Sequence, residues 1–106
     1  MLSAYGTENG SLVCFSEAEG LTAPDKVIWF DLVEPTAEEE KSVEKALAID
    51  IPTREELAEI EASSRLYQED GAAFMTATLI RRGENDRPES SAVTFVIKDN
   101  QLVTVR

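Results

Sequence analysis

The chain has 106 residues, and its 21 Asp and Glu against 10 Lys and Arg give a formal charge of −11 with no histidine. A domain of this length buries roughly 65% of its unfolded surface, enough for a core without disulfides or metal. The missing histidine excludes Ser-His-Asp and Cys-His catalysis and His-ligated metal. The lone Cys14 excludes an internal disulfide, and the acidity argues against nucleic acid, which needs a cationic stripe.

The first forty residues read as strands and turns. Residues 2–5 and 12–15 are short strand candidates joined by Gly6-Thr7-Glu8-Asn9-Gly10, a turn-rich hairpin loop. Residues 16–26 read as loop, punctuated by Gly20 and Pro24. The run Val27-Ile28-Trp29-Phe30-Asp31-Leu32-Val33 is nearly continuously apolar, which predicts an interior strand buried on both faces with Trp29 and Phe30 in the core. Cys14 is expected to be a small buried hydrophobe.

Two helices are announced by capping boxes. Thr36 stands three residues before Glu39 after Pro35, and Thr53 three before Glu56 after Pro52. The first is predicted over 37–48 with Val43, Ala46 and Leu47 on one face, the second over 54–63 with Leu57 and Ile60 inward. Strands over 65–69 and 72–81 flank an Asp70-Gly71 turn, and strands over 92–98 and 101–106 flank Asp99-Asn100, residues that tolerate positive φ. Residues 83–90 read as a polar loop, and Arg81-Arg82 as an exposed strand end. Strands, two helices and more strands predict a mixed α/β layer domain over residues 1–106.

No run approaches 18 apolar residues, and residues 1–5 carry no signal-peptide pattern, so neither a membrane span nor a leader is expected within these residues. The chain stops inside the strand Leu102-Val103-Thr104-Val105, which suggests a domain cut from a longer protein.

The charge is uneven. Residues 34–61 hold ten acids (Glu34, Glu38, Glu39, Glu40, Glu44, Asp50, Glu55, Glu56, Glu59 and Glu61) against Lys41, Lys45 and Arg54, a net of −7, leaving −4 for the remaining 78 residues. One reading is a solvated helical face, since acids favour first turns through the helix dipole. The other is a divalent-cation surface, because hard cations such as Mg²⁺ want carboxylate oxygens; Glu55 and Glu59 share a face at helical spacing. The segment Asn85-Asp86-Arg87-Pro88-Glu89 lacks the repeated Asp/Asn and central Gly of a calcium loop. Paired carboxylates could serve glycosidase-like chemistry, but no cleft signature accompanies them.

Four segments together resemble the N-terminal cytoplasmic domain of CorA-type magnesium transporters, a family that also includes zinc-handling ZntB-like members. They are Met1-Leu2-Ser3-Ala4, Trp29-Phe30-Asp31-Leu32-Val33-Glu34-Pro35-Thr36, residues 53–65, and Val93-Thr94-Phe95 with residues 101–106. The resemblance implies an α/β/α sandwich with a mixed parallel and antiparallel sheet flanked by short helices. In the family it is followed by a stalk helix and two transmembrane helices that carry a Gly-Met-Asn pore motif and assemble as a homopentamer. None of those later parts occurs in this sequence, so the resemblance implies a non-enzymatic sensing part on the cytoplasmic side of the inner or plasma membrane. The family's regulatory Mg²⁺ site uses an acidic pair in a Leu-Glu-Asp-Ile stretch. Here the stretch is Leu57-Ala58-Glu59-Ile60, with Glu59 in the place of the Asp and Ala58 in the place of the Glu. The implied metal residues are Glu59, Glu56 and Glu55, for Mg²⁺ or for Co²⁺, Ni²⁺ or Zn²⁺. The alternatives are a stand-alone acidic α/β module for a basic protein partner and a small carboxylate enzyme fragment.

Overall fold

A computed structural model describes residues 1–52, 66–69 and 71–106. The strands are β1 (Leu2–Glu8), β2 (Ser11–Phe15), β3 (Val27–Leu32), β4 (Leu66–Glu69), β5 (Ala72–Arg82), β6 (Pro88–Lys98) and β7 (Gln101–Val105); the helices are α1 (Glu17–Thr22) and α2 (Ala37–Leu47). The seven strands form one sheet in the order β2-β1-β3-β7-β6-β5-β4. Among the described strands β3 and β7 pair in parallel and the other neighbours are antiparallel. The predicted helix over 54–63 and its Thr53–Glu56 box lie outside the described residues.

The first hairpin is tighter than its glycines suggested. β1 continues through Gly6 to Glu8, and only Asn9 (φ 52°) and Gly10 (φ 79°) make the turn, two consecutive positive φ values that suit the right-handed twist of the strands. The predicted loop over 16–26 instead contains α1. Ser16 Oγ accepts from the Glu19 N–H at 3.2 Å and donates to the Glu19 carboxylate at 3.0 Å, so a Ser-x-x-Glu cap starts a helix only six residues long. Gly20, which made the segment look like loop, is buried against the sheet: a Cβ there would lie 2.6 Å from Ala4 Cβ.

The interior position of β3 holds, between β1 and β7. A bulge at Tyr5/Gly6 leaves Ile28 without a partner, since Tyr5 faces Trp29 and Gly6 faces Val27. That slip turns Val27 inward, where it is 1% exposed, and leaves Ile28 at 40%. Phe30 and Leu32 are fully buried. Trp29 is half-buried rather than in the core, stacked on Tyr5 at 4.7 Å between ring centroids on the opposite face.

The core lies on one face of the sheet. Leu2, Ala4, Phe30, Leu32, Val103, Val96 and Phe74 meet Val43 and Leu47 of α2, with Ile49 and Ile51 after it. Helix α2 follows its predicted box, with Thr36 Oγ1 accepting from the Glu39 N–H at 3.2 Å and Glu39 Oε1 accepting from the Thr36 N–H at 3.0 Å. It ends at Ala48 in the left-handed region (φ 54°), where Lys98 Nζ donates to the carbonyls of Leu47 and Ala48.

The other face of the sheet is apolar as well. Met75, Leu79 and Ile97 project from it, Ile97 at 55% exposure, and Leu66 stands opposite Met75 in the register. Among the described residues no helix covers this face, so the outer helical layer that the resemblance implies is not among them. Cys14 is exposed on edge strand β2, contrary to the buried position expected of it, because it faces Tyr5 on this side, away from the core. The β4–β5 and β6–β7 hairpins form where predicted, with positive φ at Gly71 (77°) and Asp99 (53°); Asp70 lies outside the described residues. Strand β6 begins four residues earlier than its alternating segment, at Pro88, because it pairs with β5 over the full length of both strands.

Candidate functional site

The acidic stretch is the feature to which the sequence assigned a ligand. Its described part, residues 34–52, consists of the β3–α2 bend, α2 and the residues after it. Two of its acids are occupied in holding the backbone. Glu39 closes the capping box and also lies 3.3 Å from the N-terminal ammonium. Glu44 Oε1 accepts from the Ile51 N–H at 3.3 Å, which ties the chain after α2 back onto the helix. Glu34, Glu38 and Asp50 are exposed to solvent. Among the described residues no three Asp, Glu, Cys or His side chains converge as a metal site. In this part the solvated, dipole-favoured helical face describes the acids well. Glu55, Glu56 and Glu59 all lie outside the described residues.

The Glu39 carboxyl sits below its usual value of 4.5, first because the Thr36 backbone N–H donates to it; partial desolvation opposes this, and the nearby ammonium lowers it further. A carboxyl depressed by folding adds stability that is fully present above its unfolded pKa and disappears as pH falls through the folded one. Glutamine at this position keeps the cap acceptor but carries no charge. Wild-type protein is therefore expected to lose more stability than Glu39→Gln between about pH 5 and pH 3. Urea midpoints across that range provide the check; parallel declines would show that the charge contributes nothing.

The only buried carboxylate among the described residues lies elsewhere. Asp31, 5% exposed, points to the face opposite the helices. Its Oδ1 accepts from the Thr104 hydroxyl at 2.8 Å and its Oδ2 from Arg106 Nη2 at 3.1 Å. Thr104 Oγ1 in turn accepts from the Trp29 indole N–H at 2.9 Å. The hydrogen bond from Arg106 to Asp31, followed by their charge attraction, raises the Arg106 pKa. The signal in the sequence was a charged residue inside an apolar run, legible as a buried carboxylate needing a partner but silent on which cation supplies it. Its two partners come from β7 and the residue after β7, and Trp29 of β3 backs Thr104, so the arrangement ties β3 to the end of β7.

Comparison with known proteins supplies what the geometry does not. Residues 24–106 match the family model described as CorA-like Mg²⁺ transporter protein. Over all 106 residues the chain is 33% identical to the magnesium transport protein CorA of Mannheimia succiniciproducens and 35% identical to that of Escherichia coli K12, and it spans 33% of the length of each. The fold matches the complete CorA magnesium transporter of Methanocaldococcus jannaschii with a TM-score of 0.66 at 17% identity, covering 99% of this chain and 32% of that one. It also matches the soluble domain of that CorA, with a TM-score of 0.62 at 16% identity, covering 99% of this chain and 40% of that one. The mixed sheet with helices against it is thus the architecture of the CorA soluble domain. With a matching family model over most of its length and all of its residues aligned to these relatives, the chain belongs to the CorA-like Mg²⁺ transporter family.

Proposed function

We propose that this chain is the cytoplasmic, metal-sensing part of a CorA-like protein that transports magnesium and other divalent cations, with no enzymatic activity of its own. The observation that carries the reading is the alignment of all 106 residues with magnesium transport proteins three times as long. Among the described residues no helix is long and apolar enough to cross a membrane, so translocation is assigned to the part of such a protein that this chain does not include. The domain would act from the cytoplasmic side of the inner or plasma membrane, as one of five copies in a homopentamer.

The regulatory ligand in this reading is Mg²⁺, with Co²⁺, Ni²⁺ or Zn²⁺ as competitors, and the residues assigned to it are Glu59, Glu56 and Glu55. Carboxylates crowded in a stretch of net charge −7 repel one another, and a hard cation relieves that repulsion. A cation bound more tightly in one arrangement of the copies shifts the population toward it. With Ala58 where a second carboxylate would help, affinity in this chain alone should be weak.

The test is calorimetric titration of Mg²⁺ into a longer chain that includes the neighbouring stalk, with and without Glu59→Ala. The variant is expected to bind at least several-fold more weakly. Unchanged affinity would remove Glu59 from the site.

A further inference from the structure

Among the described residues, six non-glycine residues have positive φ: Asn9, Glu34, Ala48, Asn85, Asp86 and Asp99. Four are Asn or Asp in turns, which tolerate this region, and Ala48 caps α2. Glu34 is the exception. It is a long side chain at φ 42° immediately before Pro35, where the proline ring pushes its predecessor toward extended backbone. A residue keeps such a conformation only when its surroundings over-determine it.

Those surroundings are clear. The Val33 N–H donates to the Met1 carbonyl at 2.9 Å, and the Glu34 N–H to the Arg106 carbonyl at 2.8 Å. Arg106 is itself held twice, by its N–H on the Leu32 carbonyl at 2.9 Å and by its guanidinium on buried Asp31. Two residues beyond Glu34, Thr36 caps α2. The bend therefore lies directly between the end of β7 and the first turn of the acidic helix.

We propose that Glu34 is a strained hinge, latched by Arg106 on Asp31, that couples the setting of α2 to the end of β7. Pulling Arg106 away removes the acceptor that holds the Glu34 N–H. The bend then relaxes toward extended backbone, and the start of α2 shifts with it. The coupling is independent of whether any cation binds this chain.

Amide hydrogen exchange measured residue by residue tests the idea. Arg106→Gln loosens the latch at its half-exposed end, and Asp31→Asn does so from the buried end. In both, the Glu34 and Glu39 amides are expected to exchange roughly tenfold faster, while the Val96 amide in the sheet centre keeps its rate. Glu34→Asn places a residue that tolerates positive φ at the bend without adding glycine's freedom. In the Arg106→Gln background it is expected to return the Glu39 rate to within about twofold of wild type. Faster exchange at Glu34 alone would show that the bend and α2 are uncoupled. Equal acceleration at Val96 would mean general loosening, and no rescue by Asn would mean that strain does not drive the shift; each of these outcomes overturns the hinge.

Discussion

Phe30→Ala is expected to cost about 3–5 kcal/mol of folding free energy, a large fraction of the roughly 5–15 kcal/mol by which such a domain is stable. Phe30 is fully buried in β3, the third of seven strands, paired with Ala4 on one side and Val103 on the other. Its ring also lies against α1, with Cε1 3.7 Å from where a Gly20 side chain would begin. Truncation loses the transfer energy of the ring and leaves a cavity among strands whose backbones are locked in two ladders, so the site cannot collapse to fill it. Ile28, two residues earlier and 40% exposed at the bulge, is the internal comparison: Ile28→Ala should cost about 1 kcal/mol or less. Urea unfolding followed by circular dichroism measures both. A Phe30→Ala cost no larger than that of Ile28→Ala would mean that the bulge does not set the inward register of β3.

The bulge also shows what could be read from the sequence and what could not. Signals local to a few residues were legible. The Thr36–Glu39 box gave α2 to within a residue of its end, and Gly71 and Asp99 marked two hairpins. The apolar run gave β3 and its interior place. Signals that depend on a distant partner were not legible. Nothing near Val27 tells that it pairs with Gly6 while Ile28 is skipped. The parallel pairing of β3 with β7 joins Trp29 to Leu102 across most of the chain, and no turn residue records such a contact. Helix α1 was hidden for a different reason. Its Ser16–Glu19 cap was present, but Gly20 normally argues against a helix. Here the glycine is needed because Ala4 leaves no room for a side chain.

The candidate site divides in the same way. The density of carboxylates was readable from composition, but their division of labour depends on which backbone groups the fold brings to them. Glu39 and Glu44 look like any other acids in the run, yet each holds a backbone N–H of a segment outside the helix. Asp31 lies outside the acidic stretch and is the described carboxylate most completely withdrawn from water, and its cation stands 75 residues away. Spacing rules address neighbours on one element, and this pair joins β3 to the residue after β7. The relation to magnesium transporters was readable because it rests on the order of several segments rather than on any one contact.

Gly6→Ala supplies the second large expected effect, and its sign is the informative part. In an ordinary strand, replacing glycine by alanine reduces the entropy lost on folding and stabilises by roughly 0.4–1 kcal/mol. Read from the sequence as a loop residue, Gly6 would give a small effect of either sign. In the structure it is a buried strand residue beside the bulge, and a Cβ would fall 2.5 Å from the Lys26 carbonyl oxygen and into the Phe15 ring. The ring can turn, but the carbonyl belongs to the backbone at the short helical turn Pro24–Lys26. That turn is pinned by the Gln101 side-chain amide, which donates to the carbonyls of Pro24 and Val27 at 2.6 and 2.9 Å. Making room therefore means parting β1 from the start of β3 or breaking the Gln101 contacts. The expected result is destabilisation by about 1–3 kcal/mol, the range of overpacking in a close-packed interior. Gln101→Ala frees the turn to move, so in that background the further cost of Gly6→Ala should shrink by more than the ~0.5 kcal/mol within which independent sites add. Denaturation midpoints of the two single variants and the double variant measure that difference. A neutral or stabilising Gly6→Ala, or strict additivity with Gln101→Ala, would mean that the Lys26 carbonyl yields freely and that glycine at position 6 serves the turn rather than the packing.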